Sequence, residues 1–320
     1  MNLKFIFWYL GMILLSFSCS KDYPVNREEE GIFIMDFNNY LGNSENIHPK
    51  VLFFENGWNG YEFWMAYTPY PKGATDAENP CIAVSHDGIN WMVPSGLTNP
   101  LAPTPIDGYN SDTHLVYDEE LDHLEIWWRP FHNPTEKDAV CRRVSSDGIH
   151  WSEKEVMLDF GELKGLILSP AVWIYNNEYH ILYSDGKELK LINAEKGNKK
   201  FKWREPQALP VDWGDLKAWH QDLIIDEYGN WDILVCAYGP GGNNNAADLY
   251  YIKYCPSLNQ ATAPKIVLQR GFLGSGIDDR SIYRSSLVKV GESYYLYYSS
   301  IDHSWSRHMV LIKNFLIPKY

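Results

Sequence analysis

A seven-residue phrase occurs twice in this chain. Ser85-His86-Asp87-Gly88-Ile89-Asn90-Trp91 returns, nearly unchanged, as Ser145-Ser146-Asp147-Gly148-Ile149-His150-Trp151. A near copy at a distance marks a repeat architecture and excludes most single-core folds. In each copy an apolar strand-like run meets an Asp-Gly tight turn, and a Trp follows that can pack back over the turn. Asp87 and Asp147 are accordingly turn formers without chemistry.

The rest of the chain repeats the same order on a larger scale: polar cluster, apolar strand, turn, aromatic strand, loop, third strand. The first unit opens at His48, turns at Asn56-Gly57, returns over Tyr61 to Tyr67 and adds Cys81 to Ser85. The others open at Asp112, Ser169, His220 and Arg284, so the starts are 64, 57, 51 and 64 residues apart. No stretch has the apolar spacing of a long amphipathic helix. Five units of three to four strands predict an all-β, five-bladed β-propeller. The fifth unit leaves little chain for a fourth strand. The N-terminal run Ile32 to Phe37 is therefore expected to close the last blade and remove an exposed edge.

Residues 1–19 read as an export signal, with Lys4 before an apolar run from Phe5 to Phe17 that is short for a membrane span. Ser18-Cys19 at its end resembles a bacterial lipobox. That resemblance implies cleavage before Cys19, lipidation of its sulfur, residues 20–30 as a polar tether and anchorage at a bacterial, outer-membrane surface; the repeats place the propeller in 31–320. The membrane is met by the lipid anchor only. Cys81, Cys141, Cys236 and Cys255 remain, and no Cys/His spacing suggests zinc. They read as small buried hydrophobes. A net charge of −13 without a basic stretch excludes nucleic acid as a partner. An aromatic content of 15% suits strands and also clefts that stack on sugars. The chain is expected to act as a monomer.

Strands alternate in direction, so first-strand starts, second-strand ends and third-strand starts share one face of a propeller. That face collects His48, Asp112, His114, Ser169, His220, Asp222 and Arg284, then Tyr67, Tyr70, Arg129, Asp185, Tyr238 and Asp302, with Asp76 and Glu78 before a third strand. The other face receives the tight turns. Carboxylates gathered at a channel mouth suit glycoside hydrolysis, which needs one protonated and one ionised acid. Glu78, on a loop, is the candidate acid. Asp112 is the candidate base, and Asp222 a group that tunes or orients. His48, Tyr67, Tyr70, His114, Arg129, Asp185, His220, Tyr238, Arg284 and Asp302 are the candidate sugar contacts.

The period, the S-x-D-G-I-x-W turns, the Ser169-Pro170-Ala171-Val172 blade start and the aromatic second strands resemble the five-bladed propeller glycosidases of the family 43 and family 32 type, over about residues 45–320. The resemblance implies a glycoside hydrolase acting on extracellular oligo- or polysaccharide. Those enzymes open the first blade with Asp-Pro; this chain has His48-Pro49, so their base does not carry over. Glu78-Asn79-Pro80 is similar in letters to their Glu-Gly-Pro acid but lies in an earlier blade. The rival reading is a non-catalytic propeller that captures glycan. A phosphorylase would need several basic groups together in the pocket. No cofactor or catalytic metal is required, and a structural Ca²⁺ in the channel is left open.

Overall fold

Twenty strands form five antiparallel sheets around a central channel. A computed structural model describes residues 27–131, 138–159, 166–197 and 201–319. Cys19 and the expected export signal lie outside them. A lone strand β1 (Ile32–Met35) precedes the blades. Blade I is β2 (Asn46–Trp58), β3 (Tyr61–Pro69) and β4 (Cys81–Ser85). Blade II is β5 (Tyr109–Asp118), β6 (His123–Phe131), β7 (Asp138–Ser145) and β8 (Glu155–Asp159). Blade III is β9 (Leu168–Tyr175), β10 (Glu178–Ser184), β11 (Leu189–Glu195) and β12 (Gln207–Ala208). Blade IV is β13 (Lys217–Ile225), β14 (Trp231–Tyr238) and β15 (Asp248–Cys255), edged by β16 (Gln260–Ala261) and β17 (Lys265–Leu268). Blade V is β18 (Ser281–Val290), β19 (Ser293–Ile301) and β20 (Arg307–Ile312).

The expected closure is present. β1 pairs antiparallel with β20, Ile32 facing Ile312 and Met35 facing Met309, so the two ends of the described chain share one sheet. This pairing covers the donors and acceptors that β20 would otherwise present as an edge. One boundary differs from expectation. The first hairpin turns at Asn59-Gly60, and Asn56-Gly57 is a register shift inside β2 between Phe53 and Trp58. Trp58 is thereby placed to pack edge-on against Trp64, 5.0 Å between ring centres. An apolar partner won over the better turn dipeptide.

Blades cohere through aromatic side chains of their second strands. Trp64, Trp127 and Trp128 are fully buried between sheets. Such rings remove about 150–250 Å² each from water. The repeated turns plug the blade junctions. In both, the Asp accepts two backbone N–H groups, and the Trp indole donates to the glycine carbonyl. Gly148 has φ +75°, and a Cβ there would lie 2.1 Å from the Trp64 ring. Only glycine fits. Cys81, Cys141 and Cys236 are buried and Cys255 is half-buried, with no disulfide among them, in keeping with their reading as hydrophobes.

Candidate active site

The inner strand of every blade carries one residue more than its partner near its start. The extra residue falls between Ile47 and Lys50, Ser111 and His114, Leu168 and Ala171, Ala218 and His220, and Ile282 and Arg284. Such bulges re-aim side chains. In the first three blades they put His48, Asp112 and Ser169 at φ +57°, +54° and +52°. A side-chain-bearing residue in that region costs about 1–3 kcal/mol, a strain that gathers at functional sites. The sequence carried a cue: Pro49 and Pro170 cannot donate to the ladder, so a proline inside an inner strand marks a bulge.

The bulges bring together a buried constellation centred on Asp112. Its Oδ2 accepts from Arg129 Nε at 2.7 Å and from the Ser169 amide at 3.1 Å. Its Oδ1 lies 3.4 Å from both His48 Nε2 and His220 Nδ1, and 3.8 Å from Arg284 Nη1. Ser169 Oγ sits 2.5 Å from His220 Nδ1, and Thr68 Oγ1 2.8 Å from His48 Nδ1. Burial alone would raise the Asp112 pKa. Arg129 and the other positive or protonatable neighbours outweigh it and hold the carboxyl well below its usual range. Burial pushes both imidazoles down, His220 to about 3, so both are neutral at physiological pH. Ser169, His220 and Asp112 are not a nucleophilic triad, because Ser and Asp approach the same imidazole nitrogen, whereas a triad uses both.

Glu78 completes the group from the loop before β4. It is 3% exposed, accepts from Ser111 Oγ at 2.6 Å and lies 3.8 Å from His48 Nδ1. Burial raises its pKa to about 8, against the Ser111 hydrogen bond. Asp112 is thus ionised and Glu78 protonated near neutrality, the divergence that marks acid and base partners. Tyr283, the bulge residue of blade V, roofs the constellation with its ring 4.6 Å from that of His220 and 5.5 Å from that of His48. Above it opens a cleft of about 610 Å³ walled by Tyr70, Lys72, Trp305 and Arg307.

The structure unites His48, Glu78, Asp112, Arg129, His220 and Arg284 at the constellation and places Tyr70 at the cleft. It separates the others. Asp222 lies deeper in the channel, chelating Lys50 Nζ at 2.7 and 2.9 Å and accepting the Leu287 amide. His114 lines the same lower cavity and is bound through Nε2 to the Val172 carbonyl. Sequence reading grouped both with Asp112, but a strand rises about 3.3 Å per residue, so one polar cluster spans two depths. Tyr67 is fully buried in the core against Phe37 and is no stacking surface. Tyr238 packs on a core cluster between blades IV and V. Asp185 pairs with Lys190 at 2.8 Å and accepts turn amides. Asp302 braces the turn that presents Trp305, accepting from Ser304 Oγ and the Ser306 amide. Sequence reading puts Ser169 on this face without a role and passes over Tyr283, Trp305 and Arg307, since a hydroxyl, aromatic or basic residue near a strand start reads as ordinary strand composition.

Two imidazoles and a carboxylate form a donor set for a divalent ion. Ligand atoms of His48, Asp112 and His220 lie within 4.8 Å of one another. His48 Nε2 and His220 Nε2 have no hydrogen-bond partner. The protonation states also fit, with neutral imidazoles and an ionised carboxylate. The nitrogen content suits a borderline first-row ion better than Ca²⁺, which prefers oxygen. A second grouping, Asp118, His123 and Glu125, is answered by Lys196 at 2.6 Å and Arg142 at 3.0 Å, and reads as an ion network between blades.

Comparison with known proteins agrees with this architecture. No protein-family model matches the chain. The chain has the fold of the five-bladed propellers that include the family-43 glycoside hydrolases. It is similar to the A type blood N-acetyl-α-D-galactosamine deacetylase of Flavonifractor plautii, 36% identical in an alignment of 292 residues that takes in 75% of this chain. The chain spans only 37% of that relative's length. Among solved structures, an N-acetylgalactosamine deacetylase from F. plautii in complex with blood group B trisaccharide superposes with a TM-score of 0.74 at 21% identity, over 89% of this chain and 94% of that one. The exo-β-1,3-galactanase of Phanerochaete chrysosporium, with galactose, gives a TM-score of 0.59 at 9% identity, over 88% and 64%.

Proposed function

We propose that this protein is a glycan-acting hydrolase that removes the acetyl group from an N-acetylated amino sugar, releasing acetate and leaving a free amine on the glycan. The observation that carries this reading is the His48–Asp112–His220 donor set beside the buried carboxyl of Glu78. The similarity to a carbohydrate deacetylase supports it. Glycoside hydrolysis needs two carboxylates facing a sugar across an open pocket. Here one oxygen of Asp112 is held by Arg129 and Ser169, the other faces two imidazoles, and Asp222 is closed off by Lys50.

In this reading His48, Asp112 and His220 would hold a divalent ion, which when bound would act as a Lewis acid toward the amide carbonyl and activate water. Arg129 and the Ser169 amide fix Asp112 so that Oδ1 alone points at the imidazoles. Glu78, protonated and oriented by Ser111, supplies the proton that the departing amine needs. Tyr283 closes over the group and must turn aside for an acetamide to reach it. Once seated, the substrate excludes water from a site whose charges are already in place.

The test is acetate release from a panel of oligosaccharides ending in N-acetylhexosamines, with and without a chelator and re-added divalent ions, while free sugar is followed in the same samples. Acetate without free sugar, abolished by chelation, is the expected result. Free sugar without acetate would restore the glycosidase reading, with Glu78 and Asp112 as its pair. Binding without either product would favour the capture propeller.

A further inference from the structure

The cleft over Tyr283 has the wrong charge for this protein. The chain carries −13 overall, yet the cleft is lined by Lys72 and Arg307 and by no carboxylate. Among the described residues, no ion pair joins Lys72, Arg280 or Arg307 to an acid. Arg307 is 4% exposed and its Nε has no hydrogen-bond partner. One of its terminal nitrogens donates to the Trp305 carbonyl, and the guanidinium lies 4.6 Å from the centre of the Tyr70 ring. The nearby acids are otherwise engaged: Glu78, near enough below the cleft to interact with Arg307, makes no ion pair with it and accepts from Ser111. Glu45 Oε2 accepts the backbone amides of Lys72 and Arg307, each at 3.0 Å. Asp302 is taken up by Ser304, Ser306 and His308. A buried guanidinium without an anionic partner is costly, and its planar fork matches a carboxylate or a sulfate.

Trp305 adds a second observation. Its φ is +66°, a strained value for so large a residue, and it is 38% exposed beside the cleft. The Asp302 turn holds it there through its amide, and the Arg280 guanidinium braces its ring at 3.6 Å. An exposed indole kept in a strained backbone is a ready platform for the apolar face of a sugar.

We propose that this cleft is a subsite for a negatively charged sugar, one bearing a carboxylate or a sulfate ester, next to the sugar processed below Tyr283. Arg307 and Lys72 take the anion, and Trp305 stacks on the ring. The inference rests on the glycan-processing reading of the inner site and narrows its substrates to acidic glycans.

The experiment is calorimetric titration of the protein with three matched oligosaccharides that share one N-acetylhexosamine. One has a neutral neighbour, one a hexuronate neighbour and one an O-sulfated neighbour. The charged ligands are expected to bind about tenfold tighter or more at low salt, with the gap shrinking as ionic strength rises toward 1 M, where screening acts within about 3 Å. Which of the two binds tighter identifies the anion. Lys72→Ala, at an exposed position, should narrow the gap severalfold by weakening the charged ligands more than the neutral one. Arg307→Lys, which keeps charge but loses the fork, should narrow it further, with a thermal melt confirming that it folds. Equal binding of neutral and charged ligands, or equal losses for both in Lys72→Ala, overturns the proposal. Acetate release is followed in parallel. Acetate from neutral and charged ligands at equal efficiency would overturn the subsite but keep the deacetylase. Preference for charged ligands with no acetate from any would do the reverse.

Discussion

The two ends of the channel use the same residue types to opposite effect. At the lower end Asp222 chelates Lys50 with both oxygens and accepts an amide as well, and His114 is bound to a backbone carbonyl. At the upper end Asp112 gives one oxygen to Arg129 and turns the other to two imidazoles whose Nε2 atoms have no partner. Arg284 is buried beside them with none of its three nitrogens hydrogen-bonded. Buried polar groups in folded proteins are nearly always paired. The lower end breaks that rule at one atom, His114 Nδ1; at the upper end five unpartnered nitrogens gather at one level of the channel, where three residues also sit in strained backbone. Location on the channel wall therefore does not distinguish a functional acid from a structural one. The groups around it do: Asp222 is answered by Lys50, whereas Asp112 faces imidazoles and a guanidinium with unpartnered nitrogens.

Substitution at the two aspartates is the most direct way to break this comparison. Asp112→Asn should lower acetate release by about a thousandfold or more, as loss of a group that acts as part of a unit does. Asp222→Asn should cost about 3 kcal/mol of stability by leaving Lys50 buried without its partner charge, with turnover per folded molecule within a few-fold of wild type. Urea titration and acetate assays on both variants decide the matter. Equal loss of turnover in both would show that the two ends form one site.

Glu78 sharpens the upper end. With its pKa raised to about 8, it is protonated below that pH and ionised above it. A group that donates a proton predicts acetate release that falls as pH rises through about 8. Glu78→Gln should lower the rate about a hundredfold and remove that descending limb. A limb that persists in the variant would assign the proton elsewhere. The stability consequence has the matching sign. Between the unfolded value near 4.5 and about 8 the native state holds a proton that the unfolded state has lost, so Glu78 reduces stability as pH rises through that window. His220 acts on the acid side. Its native pKa of about 3 lies below the usual value of 6.5, so it reduces stability as pH falls from 6.5 toward 3. The pH dependence of the melting temperature, compared with that of Glu78→Gln and His220→Asn, separates the two.

The smallest expected effect on catalysis belongs to the turn face. Gly148→Ala forces a methyl against Trp64 from a left-handed backbone, which should cost about 3 kcal/mol of stability. Turnover of the folded fraction should be unchanged, and a denaturant titration beside an activity assay measures both. A loss of turnover beyond the loss of folded protein would couple the two faces.

Local chemistry is what the sequence determined. The twice-used Ser-x-Asp-Gly-Ile-x-Trp phrase specifies its own turn, because its hydrogen bonds close within seven residues. The spacing of the polar clusters specified five blades, and the short final unit implied the closing strand that β1 supplies. Asp112, His48 and His220 were visible as polar residues at strand starts, and Glu78 as an acid on the loop before a third strand. Their depth and pairing were not. Depth depends on where a bulge adds one residue, and pairing on which long side chain reaches the acid: Lys50 meets Asp222 from another blade across 172 positions of sequence, and Arg129 meets Asp112 from the next strand of its own blade across 17. Whether an acid ends up satisfied or exposed to its neighbours is a property of the assembled channel, because burial and partner charges, which set its protonation, exist only once the blades have closed around it.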